Sequence, residues 1–236
     1  MNRRTFLRTG GLMAGAVAIA GPLAALRQRE ALGIGTGPSV SDGLVGQGDL
    51  SLPPGFRCRV ISREGDPMSD GNPTPSKFDG MGAFPAPGGR TILIRNHEND
   101  RDPGEVPVVV PVALRWDPDP ARTAGCTKLV VGPGRAVEES WAVLGGTTTN
   151  CAGGVMPWGS WITCEEALGK AGHPHGYILE VPARATGPVA AVPVRQAGRF
   201  VHEAVAWHRG ALYETEDRRA DAVLYRYVPD ATPARP

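Results

Sequence analysis

Residues 147–166 read Thr-Thr-Thr-Asn-Cys-Ala-Gly-Gly-Val-Met-Pro-Trp-Gly-Ser-Trp-Ile-Thr-Cys-Glu-Glu, and this stretch holds the side chains best suited to chemistry. Cys151 stands just before Gly153-Gly154, a glycine pair that lets backbone approach another group closely. Pro157-Trp-Gly159 predicts a tight turn, and residues 160–164 predict a strand that ends in two adjacent carboxylates, Glu165 and Glu166. A thiol and carboxylates brought together across a turn offer mixed sulfur and oxygen ligands to a metal. The competing reading is a Cys151–Cys164 disulfide that closes a hairpin and leaves both glutamates in solvent.

The same design recurs along the chain. Residues 92–98 form an apolar run ending in Asn96, His97 and Glu98; His202 and Glu203 precede an alternating run; residues 211–217 end in Glu216 and Asp217. Repeated β units point equivalent strand ends at a shared axis. Cys151, Glu98, Glu165, Glu203 and Glu216 are therefore the expected metal ligands, with Glu166 and Asp217 beside them. Carboxylate oxygens suit calcium and ferric iron, and a single thiolate favours iron over magnesium. Arg218 follows Asp217 directly and offers a bidentate fork to a phosphate, or else a surface ion pair with Asp217 or Asp221. His97 and His202 each precede a glutamate by one residue, which in a strand turns them to the opposite face, so they read as packing groups. His173 and His175, in a Gly/Pro loop, are expected in solvent.

Five segments carry a resemblance to a known family: Asp79-Gly-Met-Gly-Ala-Phe84, Ile94-Arg-Asn-His-Glu98, Asn150-Cys-Ala-Gly-Gly with Thr163-Cys-Glu-Glu166, His202-Glu-Ala-Val205 and Glu214-Thr-Glu-Asp-Arg218. In this order, over residues 50–228, the chain resembles the PhoX-like alkaline phosphatases, secreted metal-dependent β-propellers. The resemblance implies a Cys151 thiolate bound to iron, an Fe3+ and Ca2+ cluster, and small phosphate esters as substrates. It also implies a six-bladed ring. A calcium-dependent lactonase-like propeller, and a non-catalytic secreted binding module, are the rival functions.

The elements that must position these residues are short strands. Alternation predicts a half-buried strand over 56–62, and further strands over 90–96, 113–116, 126–131 and 139–144. After the central stretch come 177–181, 192–196, 204–207, 211–216 and 223–227. No amphipathic helix is evident, so the fold is expected to be all-β, with blades of about four strands. At roughly 40–50 residues per blade, residues 56–236 supply three to four blades of a partial propeller. With no closing strand after Ala231, the chain reads as the N-terminal part of a longer protein with little activity alone. Cys58 and Cys126 read as a buried pair or as inert thiols, and Cys164 as facing the packed side.

Composition agrees with this loop-rich picture: 236 residues, Gly 32, Pro 23 and a net charge of +1. Without a basic stripe after the first thirty residues, nucleic acid is not an expected partner. Asn2-Arg-Arg-Thr-Phe-Leu-Arg8 and the soft apolar run behind it read as a twin-arginine export signal over 1–32, followed by a linker over 33–55. That apolar run is short for a stable membrane span. The expected partner is thus the twin-arginine export machinery, and the expected location is periplasmic or secreted.

Overall fold

The computed structural model describes residues 45–47, 50–100, 102–169 and 173–230. The export-signal reading lies outside the described residues. The chain divides into two units at Arg59 and Val60. In the first, strands β1 (Val45–Gln47) and β2 (Leu50–Leu52) pair as a small antiparallel hairpin inside the segment read as a linker.

The second unit is all-β. Strands β3 (Phe78–Ala86), β4 (Arg90–His97), β5 (Ala124–Val131) and β6 (Val137–Thr147) form a four-stranded antiparallel meander. Strands β7 (Asn150–Val155), β8 (Ser160–Glu165) and β9 (Ile178–Pro182) form a second sheet, and β10 (His202–His208), β11 (Ala211–Glu216) and β12 (Leu224–Tyr227) a third. Only three single 3₁₀ turns interrupt this pattern among the described residues. No helix among them is long and apolar enough to cross a membrane.

Several expectations are corrected. Residues 56–62 form no strand, and Phe56 and Val60 are exposed; alternation becomes a strand only where a ladder completes it. Val112–Leu114 is a 3₁₀ turn, and the 192–196 segment makes only an isolated bridge, Leu179 to Pro193, before the 3₁₀ turn Arg195–Ala197. Strand β3 was hidden because Gly80, Gly82 and Pro85 interrupt its alternation. Cys151 lies within strand β7. Cys126, Cys151 and Cys164 are buried with no disulfide between them, which removes the Cys151–Cys164 hairpin reading, and Cys58 is exposed.

The sheets pack face to face through two apolar layers. Phe84, Ile94, Cys126 and Leu144 of the first sheet meet Trp161, Leu179 and Val181 of the second. On the far side of the second sheet, Met156, Ile162, Cys164 and Ile178 meet Val205 and Leu212 of the third. Burying each large aliphatic side chain contributes about 1.5–3 kcal/mol, so these layers hold the sheets in fixed order.

The first strands of the sheets also lie side by side, β3 against β7 and β7 against β10, as in successive propeller blades. Glycine makes this possible. A Cβ on Gly80 would sit 2.7 Å from the Ala152 Cα, and one on Gly154 would sit 2.1 Å from the Val205 carbonyl oxygen. The backbone contact between first strands therefore needs residues without side chains at these two places.

Candidate metal centre

All three first strands share one irregularity. Phe78 pairs with His97, but the next pair is Met81 with Arg95; Asn150 pairs with Glu165, then Gly153 with Thr163; His202 pairs with Glu216, then Val205 with Glu214. Each first strand thus holds one residue more than its partner, a β-bulge that re-aims the side chain it carries. The residues just inside the bulges are Asp79, Cys151 and Glu203. The residues just past the matching end of each second strand are Glu98, Glu166 and Asp217. Each sheet contributes one residue of each kind.

These six converge. The Cys151 sulfur and one carboxylate oxygen each of Glu166 and Glu203 all lie within 4.8 Å of one another. Glu98 and Asp217 both lie close enough to Glu166 to shift its proton affinity, and the Glu203 carboxylate lies as close to Cys151. Asp79 lies near enough to act electrostatically on Glu98 and Glu203. The Cys151 thiol also faces the carbonyl oxygens of His202 at 3.3 Å and Glu203 at 3.4 Å.

The Lys77 ammonium pulls on Glu98, but burial and the neighbouring acids prevail, and proton affinities rise across the cluster. Burial, followed by Asp217, Glu203 and Glu98, pushes the Glu166 carboxyl up to about 8. Burial and then Asp79 push Glu98 up, and burial and then Asp217 push Glu203 up. Burial, with Glu203 next, drives the Cys151 thiol well above its ordinary range. A close group of oxygens and one sulfur, its proton affinities raised by burial and mutual repulsion, has the donor chemistry of a metal site.

The family model for alkaline phosphatase PhoX matches this chain over residues 36–141 and again over 122–235. The chain belongs to the PhoX alkaline phosphatase family. Comparison with curated proteins and with solved structures returns no match. PhoX phosphatases are metal-dependent, and the carboxylate and thiol donors gathered here fit a metal.

Two of the expected ligands, Glu165 and Glu216, lie outside this cluster. Glu165 is fully buried and accepts hydrogen bonds from the Thr148, Gly176 and Tyr177 backbone N–H groups. It also bonds to His175 Nδ1 at 2.7 Å. Being adjacent in sequence to Glu166, it points to the opposite side of the strand. Glu216, paired across the sheet with His202, accepts from the Tyr225 hydroxyl at 3.4 Å and lies 3.8 Å from Arg218. Arg218 is exposed, and its ion partner is Glu216 rather than Asp217 or Asp221.

The histidines divide similarly. His97 Nδ1 donates to the Ser76 carbonyl at 2.7 Å and Nε2 accepts from the Thr127 hydroxyl at 2.8 Å, while burial pushes its pKa down to about 3. His202 bonds to Glu214 at 3.0 Å in full burial. His175, expected in solvent, is completely buried between Glu165 and Asp117. Burial disfavours its charged form, but the two carboxylates outweigh that and raise its pKa.

A second acidic group, Asp100, Asp102 and Glu105, surrounds the Lys77 ammonium at 2.5, 2.8 and 2.6 Å. Lys77 sits at the middle of this group and offsets one of its three charges. A cavity of ≈ 360 Å³ lined by Ser69, Asp70, Glu139, Trp141 and Pro188 contains none of the six residues.

Asp79 was not among the expected ligands because it ends no apolar run. The signal available was spacing: Asp79-Gly80, Cys151-Ala152 and Glu203-Ala204 each put a potential ligand before a small residue.

Proposed function

We propose that Asp79, Glu98, Cys151, Glu166, Glu203 and Asp217 form the iron- and calcium-binding centre of an exported phosphomonoesterase. The observation that carries this reading is the meeting of Cys151, Glu166 and Glu203 donor atoms within 4.8 Å. The family match adds a phosphatase of PhoX type. Iron and calcium, when bound, supply the Lewis acidity that draws electron density from a phosphoryl group.

The chain's own groups divide the remaining tasks. Cys151 supplies the one soft ligand, which selects iron at its position, while the carboxylates supply hard oxygens suited to calcium. The paired origin of the ligands, one from a bulge and one from a strand end in each sheet, keeps their spacing fixed by sheet packing. Arg218, exposed and held only at 3.8 Å by Glu216, is free to turn toward a phosphate ester and clamp two of its oxygens. Export by the twin-arginine route is proposed from Arg3-Arg4-Thr-Phe-Leu7, and would put the centre in the periplasm or outside the cell.

The test is hydrolysis of p-nitrophenyl phosphate by the full chain, before and after chelation and on return of calcium and iron. Activity lost on chelation and restored by the metals supports the proposal. Hydrolysis that persists after every metal is removed contradicts it.

A further inference from the structure

One buried side chain near the centre is neither a ligand nor part of the apolar layers. Asn96, in β4, is fully buried, and every hydrogen-bonding position of its amide is used. Its Nδ2 donates to the carbonyl oxygens of Cys151 and Ala152, both at 2.8 Å. Its Oδ1 accepts from the Trp161 indole N–H at 2.9 Å and from the Cys126 thiol at 3.1 Å. The amide orientation is fixed by chemistry, because the indole can only donate and the two carbonyls can only accept.

Those two carbonyls belong to the bulge of β7. Between the Asn150–Glu165 and Gly153–Thr163 pairs the ladder loses register, so the intervening backbone needs partners from elsewhere. Asn96 provides them across the boundary between the first and second sheets. A bulged backbone without such a tie has several ways to relax, and each would rotate the Cys151 side chain differently.

We infer that Asn96 is a positioning residue of the metal centre, holding the β7 bulge in the one conformation that turns the Cys151 sulfur toward Glu166 and Glu203. The inference rests on the proposed role of Cys151 as a metal ligand. Residues that orient a ligand typically change metal affinity by about 10–100-fold when altered.

The experiment titrates metal-free full-length protein with cobalt(II), whose thiolate complexes have a near-ultraviolet charge-transfer band. Wild type should give that band. Its absence in wild type would sink the metal-ligand reading of Cys151 itself, and with it the basis of this inference. Given the band, Asn96→Asp should keep the β-sheet circular dichroism, shift the band, and weaken cobalt binding about 10–100-fold. A folded Asn96→Asp protein with the wild-type band and affinity overturns the inference. Should that variant fail to fold, Trp161→Phe, which removes one partner of the Asn96 oxygen, reads the same point. It should move the band, and an unmoved band there overturns the inference equally. Ile94→Val, a core change without a bond to the bulge, should leave band and affinity as in wild type; a shift equal to that of the Asn96 variant would reduce Asn96 to general packing.

Discussion

The Cys151 sulfur lies 3.4 Å from the backbone carbonyl of Glu203, although 52 residues separate them in the chain. The contact requires strands β7 and β10 to run side by side with almost no side chain between them. Gly154 supplies the gap, since a Cβ there would lie 2.1 Å from the Val205 carbonyl oxygen.

Gly154→Ala should therefore push the second and third sheets apart. Overpacking of this kind costs about 1–3 kcal/mol, and this site is at the upper end because the obstacle is backbone. Urea unfolding measures the loss, and metal affinity should fall with it. Unaltered stability would mean that β7 and β10 are not in contact here.

Glu165 and Glu166 are neighbours with opposite duties. Glu165→Gln replaces a carboxylate that accepts three backbone N–H groups and faces His175, so it should cost about 1–3 kcal/mol of stability. Its metal stoichiometry should stay as in wild type once folded. Glu166→Gln should do the reverse, weakening metal binding while leaving the metal-free protein no less stable. Thermal unfolding and metal titration of the pair decide it; swapped effects would exchange the two roles.

Asp79 is the ligand candidate that strand-end reasoning did not reach. Asp79→Asn should weaken metal binding of the full chain, with little effect on folding because the side chain is exposed. Calorimetric titration with calcium checks this, and identical binding would remove Asp79 from the centre.

These cases show which features were legible in the sequence. Strands with uninterrupted β-branched or aromatic alternation, such as Ser160–Glu165 and Ala211–Glu216, could be read from pattern because both faces are dictated locally. Glu98, Cys151, Glu166, Glu203 and Asp217 were nameable because acids and a thiol recur at strand ends. The choice between Glu165 and Glu166, or Glu216 and Asp217, depends on the register of a partner strand, which no local pattern records. Asn96 was equally hidden, since its partners Cys151 and Trp161 lie 55 and 65 residues away.

The raised carboxyls predict a pH dependence. In the metal-free folded protein, burial and the neighbouring acids lift Glu166 from an ordinary 4.5 to about 8, and Glu98 and Glu203 shift in the same direction. The folded state then holds more protons than the unfolded chain across this window. Stability is greatest below the unfolded value and is lost as pH rises through the folded one. The Tm of chelated protein should fall between about pH 5 and about pH 8. Bound metal replaces those protons, so the Tm gained on adding metal should grow over the same range. A chelated protein that becomes more stable toward pH 8 would contradict the crowding of acids.

The most direct measurement is the iron and calcium content of purified full-length wild type and Cys151→Ser, by elemental analysis. Wild type should carry both metals, and the variant should lose iron while keeping most of its calcium, because the hard oxygens of the remaining ligands are untouched. A Cys151→Ser protein with the iron content of wild type, or a wild type that binds neither metal, would contradict the assignment of this cluster as the metal centre.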